Sequence, residues 1–524
     1  MSNEALPEIQ DLGLGSWPAR RARHIPNKVA WSFAGDDFTY GEIADRVERV
    51  ASGLYKRGLR QGDRVAYMGT NHPAMIELVF ASARIGAVTV FVNPRLSEPE
   101  ARFILEDSGA RFLLRGAETG AGFDFVQAGL PGVHQIVVDK GTAYASTRSD
   151  SYSELLMGGP VVRHRSSPLA DTCLIMYTSG TTGRPKGAQI SHGNILFNDF
   201  NTLIEYDLRP DEVCLAAAPL YHIAMLSGLV LPVFLKGGRS IIEPSFRPVD
   251  ALRVMETEQV SSLFAVPAMM DAIMQTPEFA SADLSKLRTV VVGGAPVPMR
   301  ILRTWSQRGV EIQQGYGLTE TSPGVSKLAA EDAERKAGSA GKAQFFVDVR
   351  VVDADGSDVG SEGTGEIITR GPNVFSGYWS LPEAQVDVFT PDGWFRTGDV
   401  AYVDDEGYLF LRDRLKDMYV SGGENVYPAE VESALLDIAG VAEAAVIAVN
   451  HDRWGEVGKA FVVVDANASL TPDELLGELE GRLAKYKRPH TIEIAAALPR
   501  TSTGKLQKHL LRAAASRSKE RTER

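Results

Sequence analysis

The amino-acid sequence predicts an α/β fold, with a large N-terminal domain of mainly parallel sheets flanked by helices and a small α+β C-terminal domain. Three observations support this prediction. The chain has 524 residues, which exceeds the size at which a single core stops growing. Short Val/Ile/Leu-rich runs alternate with helical patterns over most of the chain, which is typical of parallel sheets covered on both faces. Near residue 350 the pattern changes to strands with Asp-Gly and Glu-Gly turns, which predicts a β-meander or barrel-like part.

The first elements of the N-terminal domain follow from hydrophobic periodicity. Residues 40–58 place Ile43, Val47, Val50 and Leu54 on one helical face. The elements that we expect next are a strand at 63–69, an apolar helix at 74–85 and a strand at 88–93.

The C-terminal region contains a compact set of predicted elements. Thr471 is a candidate N-cap, Pro472 stands at N1, and Glu474 closes a capping box before a Leu-rich helix. The other elements predicted there are a helix at 427–437 and strands at 441–449, 460–466 and 491–497. We place the boundary at 413–417, which gives domains 1–413 and 414–524.

Composition and charge exclude several classes of protein. The net charge of −12 disfavours a general nucleic-acid binder. No apolar run approaches the roughly 20 residues needed to cross a bilayer, so no integral membrane segment is expected. The two cysteines, Cys173 and Cys214, exclude a disulfide framework. The N-terminus has no apolar signal region, so a cytoplasmic location is expected.

The last segment has the opposite charge. Residues 481–524 contain twelve Lys/Arg and three Asp/Glu, a balance of +9, which leaves −21 for residues 1–480. Two interpretations stay open, a solvated helical tail and a basic domain that meets a polyanionic substrate.

The stretch 177–189, YTSGTTGRPKGAQ, has the composition of a phosphate-binding loop. Its glycines allow backbone N–H groups to approach phosphate oxygens, and its hydroxyls and two cations add donors and charge. A Walker A loop needs Gly-Lys-Ser/Thr, whereas Lys186 follows Pro185 and precedes Gly187. The loop therefore predicts phosphate binding of a different kind.

The loop resembles the signature of the adenylate-forming superfamily, which contains acyl-CoA synthetases, aryl-CoA ligases, luciferases and peptide-synthetase adenylation domains. Further stretches that resemble motifs of the family follow in order along the chain. These are PLYHIAM (219–225), GGAP (293–296), QGYGLTET (314–321), GWFRTGDV (393–400), DRLKDMYVSGGENVYPAEVE (413–432) and PRTSTGKLQK (499–508). The resemblance covers essentially the whole chain.

The resemblance implies an acid–CoA ligase. ATP would convert a carboxylic acid into acyl-AMP and pyrophosphate, and the thiol of CoA would then take the acyl group. Tyr316 would lie against adenine, and Asp399, backed by Arg414, would bind the ribose hydroxyls. The residues implied to bind ATP or AMP are Thr178, Ser179, Gly180, Thr181, Thr182, Gly183, Lys186, Gly294, Ala295, Pro296, Gly315, Tyr316, Gly317, Asp399 and Arg414.

The resemblance also assigns catalytic roles. Thr319 would contact the α-phosphate, and Glu320 would hold Mg²⁺, a hard cation that prefers oxygen ligands. Lys505 would place a positive charge between the carboxylate and the α-phosphate. ATP, Mg²⁺ and coenzyme A as a co-substrate are therefore expected.

The second half-reaction is expected to involve movement of the small domain. Lys416 lies at the hinge position of the family, and Gly422 and Gly423 would leave space for the pantetheine arm. The glycine often found before Arg414 in the family is Asp413 here.

The acid is less strongly indicated. His222 matches the position that lines or gates the acyl pocket of the family. The other candidate wall residues are Val266, Pro267, Met269, Met270, Gly293 and Ser322. They include no Arg or Lys for a second carboxylate, which disfavours dicarboxylates and amino acids. The overall sequence resembles those of actinobacterial fatty acyl-CoA synthetases and feruloyl-type CoA synthetases. We expect a medium- to long-chain fatty acid, with an aryl or hydroxycinnamic acid as the alternative.

Other functions stay open at this point. No carrier domain follows the Lys505 motif, which favours free CoA over a separate carrier protein. A nucleotide-dependent switch that hydrolyses ATP to ADP is disfavoured by the missing Walker residues. A relative without activity is disfavoured because Glu320, Asp399, Arg414 and Lys505 are all present. The expected partners are a small carboxylic acid and CoA, and a homodimer is left open.

Overall fold

The computed structural model describes residues 11–119, 130, 132–139, 150–159, 167–178, 185–361, 363–381, 388–414, 417–421, 424–451, 454–465, 468–480, 482–500 and 506–522. The predicted α/β fold class is confirmed. The chain forms two compact units, Met1–Val349 with Thr369–Phe395, and Arg350–Ile368 with Arg396–Arg524. Most residues of the meander strands thus group with the C-terminal residues. The functional boundary at 413–417 and its hinge stay predictions.

The larger sheet of the first unit has nine strands among the described residues. They are β1 (Val29–Phe33), β2 (Asp36–Thr39), β9 (Val213–Ala216), β10 (Arg239–Ile242), β11 (Ser262–Ala265), β12 (Thr289–Gly293), β13 (Ile312–Gly317), β14 (Gly324–Leu328) and β15 (Lys342–Ala343). Their order is β15-β14-β13-β12-β11-β9-β10-β1-β2. The strands from β13 to β1 are parallel to their neighbours, and antiparallel strands close both edges.

A second sheet of the first unit has six strands in the part of the chain that the structure describes. They are β3 (Arg64–Met68), β4 (Val88–Val92), β5 (Ala110–Gly116), β6 (His134–Val138), β7 (Thr172–Thr178) and β8 (Lys186–Ser191). Their order is β6-β5-β3-β4-β7-β8, parallel except for the last pair. Strands β7 and β8 therefore bracket the predicted phosphate loop.

The helices of the first unit bury their apolar faces against these sheets. The helix Tyr40–Lys56 has a complete capping box from Thr39 and buries Ile43, Val47, Val50 and Leu54, as predicted; full burial of such a side chain contributes about 1.5–3 kcal/mol. The helix Pro73–Ile85 is buried along its length except at Arg84. Among the described residues, the remaining α-helices are Trp17–His24, Glu98–Ser108, Tyr152–Met157, His192–Glu205, Ile223–Met225, Leu231–Lys236, Pro248–Thr257, Pro267–Met274 and Met299–Ser306, and a π-helix spans Leu226–Val230.

The second unit contains the predicted meander and the C-terminal elements. The meander is a sheet in the order β16-β17-β18-β19, and its strands are β16 (Asp348–Val352), β17 (Thr364–Arg370), β18 (Phe395–Val403) and β19 (Leu409–Arg414). The other sheet has the order β21-β20-β23-β22, with β24 on β23. Its strands are β20 (Tyr419–Ser421), β21 (Glu424–Val426), β22 (Val441–His451), β23 (Gly455–Val464) and β24 (Thr491–Ile494). The helices that the structure describes in this unit are Pro428–Leu436, Pro472–Glu478 and Lys508–Thr522.

Both faces of this last sheet are covered. Val446 packs with Leu435 and Leu475 on one face. Its neighbour Ile447 packs with Leu511 on the other face, as the period of two along a strand requires. The capping box predicted at Thr471 and Glu474 is present.

Part of the basic charge of the last segment is balanced within the second unit. Lys487 contacts Glu430 at 2.7 Å and Lys508 contacts Glu432 at 2.8 Å. Further ion pairs of the segment are Arg482–Glu478, Arg488–Glu480, Arg500–Glu443 and Arg512–Asp417. The excess of cations therefore overstates the positive charge that a polyanion would meet.

Two composition-based expectations can be compared with the structure. Both cysteines are buried and free. Among the helices of the described residues, none combines the length and the apolar character that crossing a bilayer requires.

Candidate active site

Most of the predicted site residues of the first unit lie where strands of the nine-stranded sheet end. His222 follows β9, Val266 follows β11, and Gly294 follows β12. Gly317 ends β13, and Ser322 comes shortly after it. Because β9, β11, β12 and β13 are neighbouring parallel strands, their carboxyl ends share one edge, where α/β sheets bind ligands.

Glycines permit close approach of the backbone at this edge. A Cβ on Gly317 would lie 1.7 Å from the carbonyl oxygen of Pro323, and one on Gly293 would lie 3.0 Å from that of Gly315. Gly294 has a φ of +83° and its idealised Cβ lies 3.6 Å from Val266 Cγ1. Thus Gly294 and Val266 are brought together, and a side chain at Gly317 would displace the segment that follows β13.

We call His222 and Ser322, two of the residues predicted to line the acyl pocket, the acyl edge. Ser322 is fully buried in the left-handed conformation, with a φ of 67°. His222 is half-buried, and burial lowers its pKa to about 4, so the ring is neutral at physiological pH. Neither Ser322 Oγ nor His222 Nε2 has a hydrogen-bond partner within the described part of the chain, and both atoms are shielded from solvent. Met269 and Met270 are buried in the helix Pro267–Met274.

Glu320 lies in a second group of residues, which we call the Glu320 cluster and which also contains Thr178, Lys186 and Tyr378. Glu320 stands in the single turn Thr319–Thr321 and is 7% exposed. Its Oε1 accepts a hydrogen bond from the Tyr378 hydroxyl at 2.8 Å, and Thr178 Oγ1 approaches the same oxygen to 3.5 Å.

The cluster also contains the lysine of the predicted phosphate loop. Lys186 begins β8 directly opposite Thr178, and its Nζ lies 5.3 Å from the centre of the Tyr378 ring. A lysine, a carboxylate and two hydroxyls therefore converge beside the ends of the loop, which suits a triphosphate and its cation. One carboxylate with neighbouring hydroxyls fits Mg²⁺, which commonly binds one or two carboxylates together with substrate phosphates.

Two asparagines that the sequence analysis did not identify hold the segment after Glu320. Asn198 Oδ1 accepts a hydrogen bond from the Gly324 amide at 3.0 Å. Asn373 Nδ2 donates to the carbonyl oxygens of Thr321 at 2.8 Å and Gly324 at 2.7 Å. Both asparagines are buried, and they satisfy backbone groups that a tight turn leaves free.

The adenine candidates keep accessible surfaces. Gly294, Ala295 and Pro296 are exposed, and Tyr316 and Thr319 are half-buried. The strand order places β12 beside β13, with Gly293 opposite Gly315. The structure therefore brings the two predicted adenine segments together.

The ribose candidates lie in the second unit. Asp399 is buried on β18, and its amide donates to Thr397 Oγ1 at 3.1 Å. Arg414 stands directly opposite Asp399 in the antiparallel pair β18–β19. The strand register thus places the two residues side by side, and their roles at the ribose stay predictions.

Several predicted residues lie outside the described residues. They are Ser179, Gly180, Thr181, Thr182, Gly183, Lys416, Gly422, Gly423 and Lys505. Their roles stay predictions.

Comparison with known proteins identifies the family. Residues 18–379 match the AMP-binding enzyme family and residues 430–505 match the AMP-binding enzyme C-terminal domain. A feruloyl-CoA synthase of an Amycolatopsis species is 47% identical, over 95% of this chain and 98% of the relative. The long-chain-fatty-acid–CoA ligase FadD13 of Mycobacterium tuberculosis is 38% identical, over 95% and 97%.

A solved structure shows the same fold. The O-succinylbenzoate coenzyme A synthetase MenE of Bacillus subtilis, in complex with ATP and magnesium ion, superposes with a TM-score of 0.85 at 31% identity, over 95% of this chain and 99% of that one. Together with the two domain matches and the cluster at Glu320, these likenesses lead to one conclusion. The chain belongs to the AMP-binding, adenylate-forming enzymes and is an ATP-dependent acid–CoA ligase.

Proposed function

We propose that the protein activates a hydroxycinnamic or related aryl acid, and that a medium- to long-chain fatty acid is the second candidate. This reverses the order in which the sequence analysis placed the two acids. The observation that supports the reversal is the pair of buried polar atoms at the acyl edge, Ser322 Oγ and His222 Nε2.

The two unsatisfied polar atoms favour a substrate that carries a polar group of its own. A buried donor or acceptor without a partner costs about 1–3 kcal/mol, and a ligand that supplies the partner recovers this energy. A phenolic acid has a polar group far from its carboxylate, whereas a fatty chain has none. The 47% identity to a feruloyl-CoA synthase, against 38% to a fatty-acid ligase, points the same way. The buried Met269 and Met270 beside Val266 support the fatty acid as the second candidate.

In the first half-reaction a carboxylate oxygen attacks the α-phosphorus, and the bond to the β-phosphate breaks with its electron pair leaving on pyrophosphate. Lys186 and the loop before it would bind the β- and γ-phosphates, and Thr319 would contact the α-phosphate. Glu320 would hold Mg²⁺, which neutralises charge on the phosphates when bound. Lys505 would offset the charge that builds up between the two reactants.

In the second half-reaction the CoA sulfur attacks the acyl carbon, and AMP leaves with the oxygen of the former anhydride. We propose that Asp399 and Arg414 retain the ribose through both steps. Movement about Lys416 would replace Lys505 by the segment with Gly422 and Gly423, which leave room for the pantetheine arm. We further propose that the enzyme is soluble and cytoplasmic, and that its acyl acceptor is free CoA rather than a carrier protein.

The test measures pyrophosphate release with 4-coumaric, ferulic, benzoic, decanoic and palmitic acids, each with and without CoA. We expect AMP and pyrophosphate only when an acid is present, and a kcat/KM at least about 10-fold higher for the hydroxycinnamic acids, since a satisfied polar contact discriminates by this order or more. Higher kcat/KM for decanoic or palmitic acid would establish the second candidate. Formation of ADP without acid would contradict both.

A further inference from the structure

Tyr378 lies at the junction of the two segments that carry Lys186 and Glu320. Its own segment adds to the edge of β8, because the Gln189 amide donates to the Gly377 carbonyl at 3.0 Å and the Trp379 amide donates to the Gly187 carbonyl at 2.7 Å. Residue 378 is thereby fixed beside the start of β8. The side chain is buried, at 8% exposure.

The two ends of this side chain contact oppositely charged groups. The hydroxyl donates to Glu320 Oε1 at 2.8 Å. The ring face lies 5.3 Å from Lys186 Nζ, within the range of a cation–π interaction. One rigid side chain therefore spans the lysine and the carboxylate.

The surrounding contacts hold the ring in place. Phe375 packs edge-on against it, with ring centres 5.0 Å apart, and the Phe375 amide donates to the Glu320 carbonyl at 2.8 Å. The Glu320 turn is thus joined to this segment through main chain and side chain. Both hydroxyl contacts of Glu320 fall on Oε1, and no donor among the described residues contacts Oε2.

We propose that Tyr378 is a positioning residue for the adenylation step. It fixes the distance between Glu320 and Lys186 and turns Oε2 towards the cation that accompanies the triphosphate, while Lys186 is left to meet the phosphates. The proposal rests on the proposed role of Glu320 as the magnesium ligand and does not depend on which acid is activated.

The test compares Tyr378→Phe with the wild type and with Tyr40→Phe in the full chain. Tyr40 is a matched control, because its buried hydroxyl donates to the Gly238 carbonyl at 2.7 Å within the same unit. Binding of Mn²⁺ is measured by electron paramagnetic resonance in the presence of α,β-methylene-ATP. We expect Tyr378→Phe to weaken Mn²⁺ binding about 10-fold, as loss of a partner that orients a metal ligand does. Tyr40→Phe should leave it within about twofold.

A second variant separates the ring from the hydroxyl. Tyr378→Phe keeps the ring under Lys186, so its affinity for α,β-methylene-ATP without metal should match that of the wild type. Tyr378→Leu removes the ring as well and should weaken that affinity. In a Glu320→Gln background, Tyr378→Phe should have no further effect on Mn²⁺ binding, because the carboxylate that it orients is gone.

Equal Mn²⁺ affinities for Tyr378→Phe, Tyr40→Phe and wild type would overturn the proposal, and so would a full additional loss in the Glu320→Gln background. The proposed function fails separately, if the wild type forms no acyl-AMP with any acid. Since the metal readout uses no acid, the two failures are distinguishable.

Discussion

The Glu320 cluster and the acyl edge lie in the same unit, but they differ in whether their buried polar atoms have hydrogen-bond partners. In the cluster, Oε1 of Glu320 receives the Tyr378 hydroxyl and is approached by that of Thr178. At the acyl edge, Ser322 Oγ and His222 Nε2 are buried without a partner among the described residues. The first region is arranged before any ligand binds, and the second has polar atoms left over.

This difference corresponds to the ligand proposed for each region, which is ATP with its cation for the Glu320 cluster and the carboxylic acid for the acyl edge. The proposed co-substrate ATP is the same whichever acid is activated. A Glu320 cluster that is ordered before ATP binds would therefore suit every acid and would need no reorganisation during the reaction. The acid itself is the variable reactant. On the proposed assignment, the buried polar atoms at the acyl edge would discriminate between acids, because an acid that satisfies them gains free energy that a purely apolar acid does not.

The largest expected effect is that of Glu320→Gln. Removing the charge of a proposed metal ligand should lower the rate of adenylation roughly 100- to 1,000-fold. If the cluster serves ATP alone, the rate should fall by the same factor with hydroxycinnamic and with fatty acids, measured as pyrophosphate release in single turnovers. Glu118→Gln is the control, since Glu118 Oε1 likewise accepts a hydroxyl, that of Thr70 at 2.9 Å, and should retain the wild-type rate. A loss confined to one class of acid would place Glu320 in acid recognition and break the comparison.

The next effect is selective. Ser322→Ala should lower kcat/KM about 10-fold for 4-coumaric acid, because the phenol loses a buried partner, and should leave that for cinnamic and decanoic acids unchanged. Ser262→Ala is a matched control, as Ser262 is equally buried with an unpaired Oγ but begins β11, at the opposite end of the strand from Val266. Equal losses for 4-coumaric and cinnamic acids would show that Ser322 supports the loop rather than the substrate. The proposed order of the two acids would then lose its main support.

The sequence predicted much of this arrangement. His222, Val266 and Gly294 each follow a short apolar run, and such runs predict strands, so these residues could be assigned to strand ends before the structure. Ser322 could not, because the strand before it reads IQQGYG and has no apolar run. The helix Tyr40–Lys56 and the capping box at Thr471 were likewise readable, since both depend on residues close together in the chain.

Tyr378 could not be found in this way. Its partner Glu320 is 58 residues away, and an aromatic residue in the loop 371–380 is more often part of a core than of a site. For Asn194, Asn198 and Asn201 a signal existed: they recur at i, i+4 and i+7 and therefore share one helical face. All three are buried and bond to segments distant in sequence. Buried amides repeated on one helical face indicate that the helix holds loops as well as packing against a core.

The last prediction concerns stability rather than rate, and it tests whether the acyl edge is dry. Burial lowers the pKa of His222 to about 4, and that of His72 and His192 likewise, against about 6.5 when unfolded. Between these values the unfolded chain binds more protons, so the free energy of unfolding falls as the pH falls, by about 1.4 kcal/mol per pH unit for each histidine. Urea denaturation between pH 7.5 and 4.5 should show this slope, and His222→Gln should remove one histidine's share of the slope while leaving that of the other two.

If the slope is unchanged in His222→Gln, the His222 ring takes up a proton in the folded state as easily as in the unfolded chain. The acyl edge would then be hydrated, and Ser322 Oγ and His222 Nε2 would have water as a partner instead of waiting for the acid.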